Sequence, residues 1–447
     1  MAYVPYEDLF TLLEEPEYGD RDRLIRILEI LPGEELIETL EAERKGRRND
    51  YPIRMMWYCT VASMVYTRGQ INPLIAELYR NPTLRRVCHI PCVGRIPDRH
   101  VFKRFRRKLE KHRDLLAKIF SGLIEALRKE IPKLGRTTAV DATGLRTHRE
   151  AKDEVENGSY GKKRSVRIKS DGSEEEVTLK WFGFKLHALV DAETEIPLTY
   201  RVTKAACADT TQMVPLVEEA VEQHPEMKVE TVVADKGYDD SKNHRALWNR
   251  EVDGEPMRIK CVIPKREEPE IKEENLWYDE GRVPMDLKLG RNGGLECYAR
   301  VREGGAWVDR YIPMSPVGFE ADRCSIKFRC PAVHCGLQCT RSTECNAGKR
   351  HGRTVRVPCE TDWRRISPIL IGTPKWKRLY KKRTSVERCF GRLKSILGLG
   401  DLAVWTKGRV EVQVHLGMMM LAASALWHVS QGRKTNLNRF SAARIAA

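Results

Sequence analysis

Through the first 133 residues the apolar positions recur at helical spacing. Leu24, Ile25, Ile27, Leu28 and Leu31 mark one face of a stretch from Asp20 to Leu31, which Pro32-Gly33 closes. A more apolar helix is expected from Pro52 to Tyr66. A third runs from Asn72 to Tyr79, where Asn followed by Pro is a start signal. Asp98 opens a fourth pattern, and Asp114 to Glu130 either continues it or forms a fifth. Val101, Phe102, Phe105 and Leu109 give the fourth an apolar seam. Around the seam lie eight bases: Arg99, Lys103, Arg104, Arg106, Arg107, Lys108, Lys111 and Arg113. Such a helix is either a solvated face or one packed by its aromatics, offering cations such as Arg104 and Arg107 to DNA phosphates.

Beyond Lys133 the period shortens. Thr137 to Thr143 is brief and β-favouring. From Trp181 to Asp191, Phe182, Phe184, Leu186, Ala188 and Val190 face one way while Lys185, His187 and Asp191 face the other, predicting a strand. Ile196 to Val202 is a third strand, reached across an acidic turn at 191–195. A helix over Asp209 to Gln223, a buried strand over Val229 to Ala234, a helix over Ser241 to Arg250 and a strand over Arg258 to Pro264 follow. This order is that of a mixed α/β layer. From about Lys265 to Lys375 Gly, Pro and charge dominate, as in an insertion. Helical periodicity returns near Trp376, lasts to about Leu397, and resumes as an apolar helix from Val410 to Val429. The expected division is 1–133 helical, 134–264 α/β, 265–375 inserted, 376–430 the remainder of the α/β unit, and 431–447 a basic tail.

A chain of 447 residues has length for two or three domains and needs no staple merely to fold. Its 79 bases and 63 acids leave a formal charge of +16, which points to a polyanionic partner, nucleic acid before an acidic membrane. The best apolar run, Leu416 to Trp427, has 12 residues where a spanning helix needs roughly 20, so no membrane is expected. The N-terminus carries acids where a signal peptide carries bases and then an apolar run. The expected location is therefore cytoplasmic, with the thirteen cysteines as thiols or metal ligands.

Three acids share one chemical logic. Asp141 lies in or at the end of Ala139–Thr143, and Asp235 ends the strand before Lys236-Gly237-Tyr238. Alone, each reads as a turn or cap residue. On adjacent strands they would repel unless a cation sat between them, and hard divalent ions suit such ligands. The third acid is Glu387. At 100° per residue Tyr380, Arg383, Glu387 and Lys394 fall within an arc of about 60°, and Glu387 is the only acid among nine bases between Lys375 and Lys394.

The order Asp, Asp, Glu, with the Glu inside Tyr-x2-Arg-x3-Glu-x6-Lys, resembles the DDE transposases of bacterial and archaeal insertion sequences. AVDATGL around Asp141, VVADKGYD around Asp235 and the Gly183–His187 stretch are similar to that family's strands. So is the helical region before the core, through YPIRMMWYCTVASMVYTRG, NPTLRRVC and PDRHVFKRF. The resemblance implies an RNase H-like mixed-sheet core, with a helical region in front and an insertion before the last acidic helix. It implies metal-dependent DNA strand cleavage and strand transfer at insertion-sequence ends, with two Mg2+ or Mn2+ ions held by Asp141, Asp235 and Glu387. Tyr380, Arg383 and Lys394 would contact DNA near the cleaved end, and the chain would act as a homodimer on DNA. Rival readings are an inactive DNA-binding relative of the same fold, another RNase H-like nuclease, and a zinc-dependent DNA-binding regulator.

Six cysteines fall from Cys324 to Cys359. Thiolates suit a structural zinc ion, but the cluster holds no C-x2-C pair. Free thiols therefore stand beside a zinc site at Cys330, Cys335, Cys339 and Cys345, which would fold an insertion lacking its own core. His187 reads as a satisfied structural histidine or as a neighbour of the acids. Trp248, Trp376 and Trp405 read as packing residues, with Trp376 also a candidate to stack on a base or sugar.

Overall fold

The computed structural model describes residues 19–44, 50–147, 158–168, 173–252, 254–266, 287–346, 352–400, 402–433, 435 and 437. The basic tail expected at 431–447 lies, beyond Arg433, almost wholly outside these.

The N-terminal helices are Asp20–Ile30, Glu34–Ala42, Ile53–Thr67, Ile71–Arg80, Pro82–Val87, Arg99–Lys111 and Arg113–Glu130. Asp98 starts the basic helix, accepting hydrogen bonds from the N–H groups of His100 and Val101 at 2.7 and 2.9 Å. His112 separates the last two helices, so the second does not continue the first. Glu34–Ala42 and Pro82–Val87 escaped the periodicity because they are short, nine and six residues, with only a few apolar positions each.

The sheet is built from β1 (Thr137–Arg146), β2 (Ser159–Ile168), β3 (Glu174–Asp191), β4 (Pro197–Lys204), β5 (Thr231–Ala234) and the strand Lys260–Val262. β1 lies antiparallel to β3 and parallel to β5, β4 flanks β3, and Lys260–Val262 flanks β5 in parallel. β2 forms a hairpin with the outer part of β3, which starts seven residues before the alternation seen from Trp181. At Gly183 β3 and β1 come so close that a Cβ would stand 2.2 Å from the Leu145 carbonyl oxygen, and φ there is +148°. The helix expected at Asp209–Gln223 begins as a 3-10 turn, Asp209–Gln212, before Met213–Gln223. The whole is a mixed α/β core behind an N-terminal helical region, as the resemblance implied.

The insertion has its own core, contrary to expectation. Two three-stranded antiparallel sheets, one from Leu287–Leu289, Leu295–Glu303 and Ala306–Pro313, the other from Ser315–Glu320, Ser325–Arg329 and Thr354–Pro358, make it up. Leu287, Leu295, Phe328, Val355 and Val357 pack there with Trp363 and with Trp248 of the α/β unit. The strands are short and their apolar residues few per run, so composition concealed them.

The last helix, Lys407–Ser430, is 24 residues long and, by length and composition, apolar enough to cross a membrane. That exceeds the 12-residue run read from sequence. Most of it is buried against Asp20–Ile30, Arg99–Lys111 and Arg113–Glu130. One continuous apolar core joins these helices to the sheet, so packing does not break at residue 133.

Candidate active site

The parallel pairing of β1 and β5 runs to Val140 opposite Ala234, and the next residue on each strand is an aspartate. Asp141 Oδ1 accepts the N–H of Ala142 at 2.8 Å; Asp235 Oδ1 accepts that of Gly237 at 2.7 Å. The helix Thr384–Ser395 packs on β1 and β3, carrying Glu387 to the same edge. Burial pushes the Asp141 carboxyl up to about 7; the Ala142 N–H opposes the rise, Asp235 adds to it, Arg383 opposes it and Glu387 adds again. Tyr238, buried with no partner for its hydroxyl, is held well above the ordinary phenol range by burial and then by Asp141, Asp209 and Asp235. Asp141 thus lies within the field of both other acids singled out in the sequence.

The four-residue signature does not lie on one unbroken helix. Pro374–Tyr380 ends in a 3-10 turn, Lys381–Arg383, before Thr384–Ser395 begins. A ladder of contacts bridges the break. The Trp376 ring stacks on Tyr380 at 4.8 Å and 16°, the Arg383 guanidinium lies 5.9 Å from the Tyr380 ring centre, and Arg383 Nη1 donates to Glu387 Oε1 at 2.7 Å. Trp376 is buried and engaged with Tyr380, which corrects its reading as a base-stacking candidate. Lys394 is half-buried further along the same helix. The turn after β3 answers part of the basic field. Glu193 takes Lys382, while Glu195, at φ +62°, takes Arg388 and, at 2.6 Å, Arg392.

Models of the transposase DDE domain match residues 132–275 and 318–424, and a further transposase domain matches residues 13–108. The chain carries DDE transposase domains. The first DDE match contains Asp141 and Asp235, the second Glu387. The N-terminal match ends at Lys108 within the basic helix, and residues 276–317, between the two DDE matches, fall in the insertion. A comparison with curated proteins gives no match.

The transposase's donor set is all oxygen, with one carboxyl that burial, and then its acidic neighbours, push up to about 7, and it fits a hard divalent cation, whose charge would offset that cost. Among the described residues no three His, Cys, Asp or Glu side chains stand ready to hold an ion as they are. Glu387 is engaged by Arg383 instead.

His187 is not on a solvent face. It pairs in register with Ala142 rather than with Asp141, is fully buried, and meets Thr203 Oγ1 at 2.8 Å through Nε2. Burial drops its pKa to about 4, so it is neutral. The residues missed are Tyr238 and Asp209, the latter held at 2.8 Å by Lys185 Nζ. Asp209 had read only as a helix boundary. Cys330, Cys339 and Cys345 line one small cavity of about 20 Å³ with Cys297, which sequence spacing had not suggested; the side chain of Cys335 lies outside the described residues. Among the described residues no group of three thiols there stands ready to hold a metal ion. Arg104 and Arg107 part company. Arg107 lines a cleft of about 550 Å³, whereas Arg104 is exposed and interacts with Asp98.

Proposed function

We propose that the transposase cleaves DNA strands at insertion-sequence ends and transfers the freed 3′ end to a target, with Asp141, Asp235 and Glu387 as ligands of two Mg2+ or Mn2+ ions. One observation carries the reading: two aspartates directly follow paired positions on neighbouring parallel strands, with the helix of Glu387 laid across β1. Divalent ions bound there would activate a water or 3′-hydroxyl and stabilise the leaving oxygen.

The chain's own residues have separate tasks. Asp141 and Asp235 each fix one carboxylate oxygen on a backbone N–H, leaving the second oxygen to turn toward a cation. Arg383 offers a planar fork to a phosphate and Lys394 a point charge. Tyr380, backed by Trp376, presents a rigid ring beside the DNA end. Glu193 and Glu195 hold the helix on the sheet through Lys382, Arg388 and Arg392, so its remaining cations keep their direction. On this reading residues 1–133 grip DNA through bases that include Arg104 and Arg107. Residues 134–264 and 376–430 form the reacting core, 265–375 an insertion, and a homodimer holds two ends.

Glu387→Gln is the decisive variant. Cleavage of a duplex bearing the element's ends should fall by a factor on the order of 10³ or more, with DNA affinity nearly unchanged because one charge is lost among many. Wild-type cleavage by this variant in Mg2+ would reject the assignment.

A further inference from the structure

We propose that the cleft between the basic helix and the last helix is a second nucleic-acid subsite, one that seats a single unpaired nucleotide. Arg99, Lys103, Arg106 and Arg107 fall at i, i+4, i+7 and i+8 of Arg99–Lys111, along one face, and all four line the cleft. Trp405, Arg409 and Gln413 face them from the segment that enters and begins Lys407–Ser430. The volume of about 550 Å³ is within the roughly 300–1,000 Å³ range of small-ligand sites. A duplex does not fit such a space; one nucleotide does.

The floor is a built one. Gly69 has φ +77°, and a Cβ on it would stand 2.0 Å from the Gln413 amide nitrogen. The Arg106 guanidinium is anchored on the Gly69 carbonyl, and Gln413, only 7% exposed, sets its amide against the Met64 sulfur at 3.3 Å. Among the described residues Arg99, Lys103, Arg106 and Arg107 meet no carboxylate, whereas nearby Arg113 pairs with Glu411 at 3.1 Å and Arg409 with Glu110 at 3.6 Å. Burial lowers Arg106 to about 10, which leaves it cationic at neutral pH.

The walls therefore ask for an anion, yet they also carry an indole and the aliphatic Ile71, Val404 and Val412. A phosphate joined to a flat base meets both demands. The phosphate answers the cation row, and the base stacks on Trp405, over whose ring Arg409 lies at 5.6 Å from the centre. Within a duplex both faces of each internal base are already stacked, so an internal base reaches Trp405 only when it is unpaired and swung out of the stack.

The test uses the full chain and fluorescence anisotropy with a labelled single-stranded 12-mer, the matching duplex, and free dAMP as competitor. Trp405→Ala should weaken single-strand binding about tenfold and duplex binding less than twofold. Arg107→Gln should flatten the single-strand salt slope by about 0.7. Lys108→Gln, on the opposite face of the same helix, should leave single-strand affinity within twofold. If the alanine variant does not fold, Trp405→Leu keeps apolar bulk without a stacking face and should give the same loss. Unchanged single-strand affinity in the tryptophan variants, equal losses on duplex and single strand, or equal effects of Arg107→Gln and Lys108→Gln would each overturn the subsite. Competition by dAMP as tight as the strand itself would make it a free-nucleotide pocket and overturn the strand assignment. Glu387→Gln should leave all these affinities intact, so failure here is separable from failure of the carboxylate reading.

Discussion

The carboxylate edge and the basic cleft hold opposite charges in opposite kinds of setting. At the ends of β1 and β5 acids crowd on rigid backbone, and Arg383 answers only one of them directly. In the cleft a row of cations stands on one helix face without acids, on long side chains that can adapt. Elsewhere the chain matches its charges, as in Arg128 with Glu125 at 2.7 Å and Arg356 with Glu320 at 2.6 Å. On the readings proposed above, like charges gathered inside a fold that pairs charges so readily mark a place that a ligand of the other sign would complete. On those readings the acidic edge would position a reacting group and the cleft would hold one nucleotide of a strand.

The sharpest way to break this comparison is Asp141→Asn. Cleavage should fall by on the order of 10³ or more, while the metal-free protein should melt at a higher temperature because a buried, mutually repelled carboxyl is gone. A lower melting temperature would show that the crowding is not a cost.

A matched buried charge should behave in the opposite way. Asp239, four residues past Asp235, is buried and accepts Arg364 Nη2 and Nε at 2.7 and 3.1 Å and the Arg266 N–H at 2.8 Å. Asp239→Ala removes the buried carboxylate that Arg364 and the Arg266 N–H share and should cost about 3–5 kcal/mol in urea unfolding, loosening the insertion from the core.

The smallest effect comes from pH. Burial lowers His244 to about 4, against Asp239, which raises it, Arg364, which lowers it, and Asp362 and Asp240, which raise it. The folded state therefore refuses a proton that the unfolded state accepts. Stability contributed above about 6.5 is lost as pH falls toward 4, by roughly 2 kcal/mol between pH 7.5 and 5. Urea unfolding at the two values should show the drop, and His244→Asn should reduce it.

Legibility in the sequence followed how local each cause was. The long helices and β3, β4 and β5 could be read because their apolar residues repeat within one element. β2 could not, being a run of Lys, Arg and Gly whose pairing depends on β3. The acids were visible because each sits at a strand end or alone in a basic helix. Their setting was not. The answer to the bases around Glu387 comes from Glu193 and Glu195, far away in the chain, and Tyr238 and Asp209 join the edge only once β5 lies beside β1. The cleft was half legible. Its bases stood out, while Trp405 faces them only because the last helix returns to the first ones.

That return has a consequence for synthesis. Leu116, Ile119, Phe120 and Leu123 of Arg113–Glu130 are buried in the shared core, and Lys407–Ser430, which packs on their helix, ends 300 positions later. At about 5–20 residues per second a ribosome needs on the order of 15–60 s to supply it. Until then those oily faces wait in the open, where chaperones or neighbouring nascent chains can reach them.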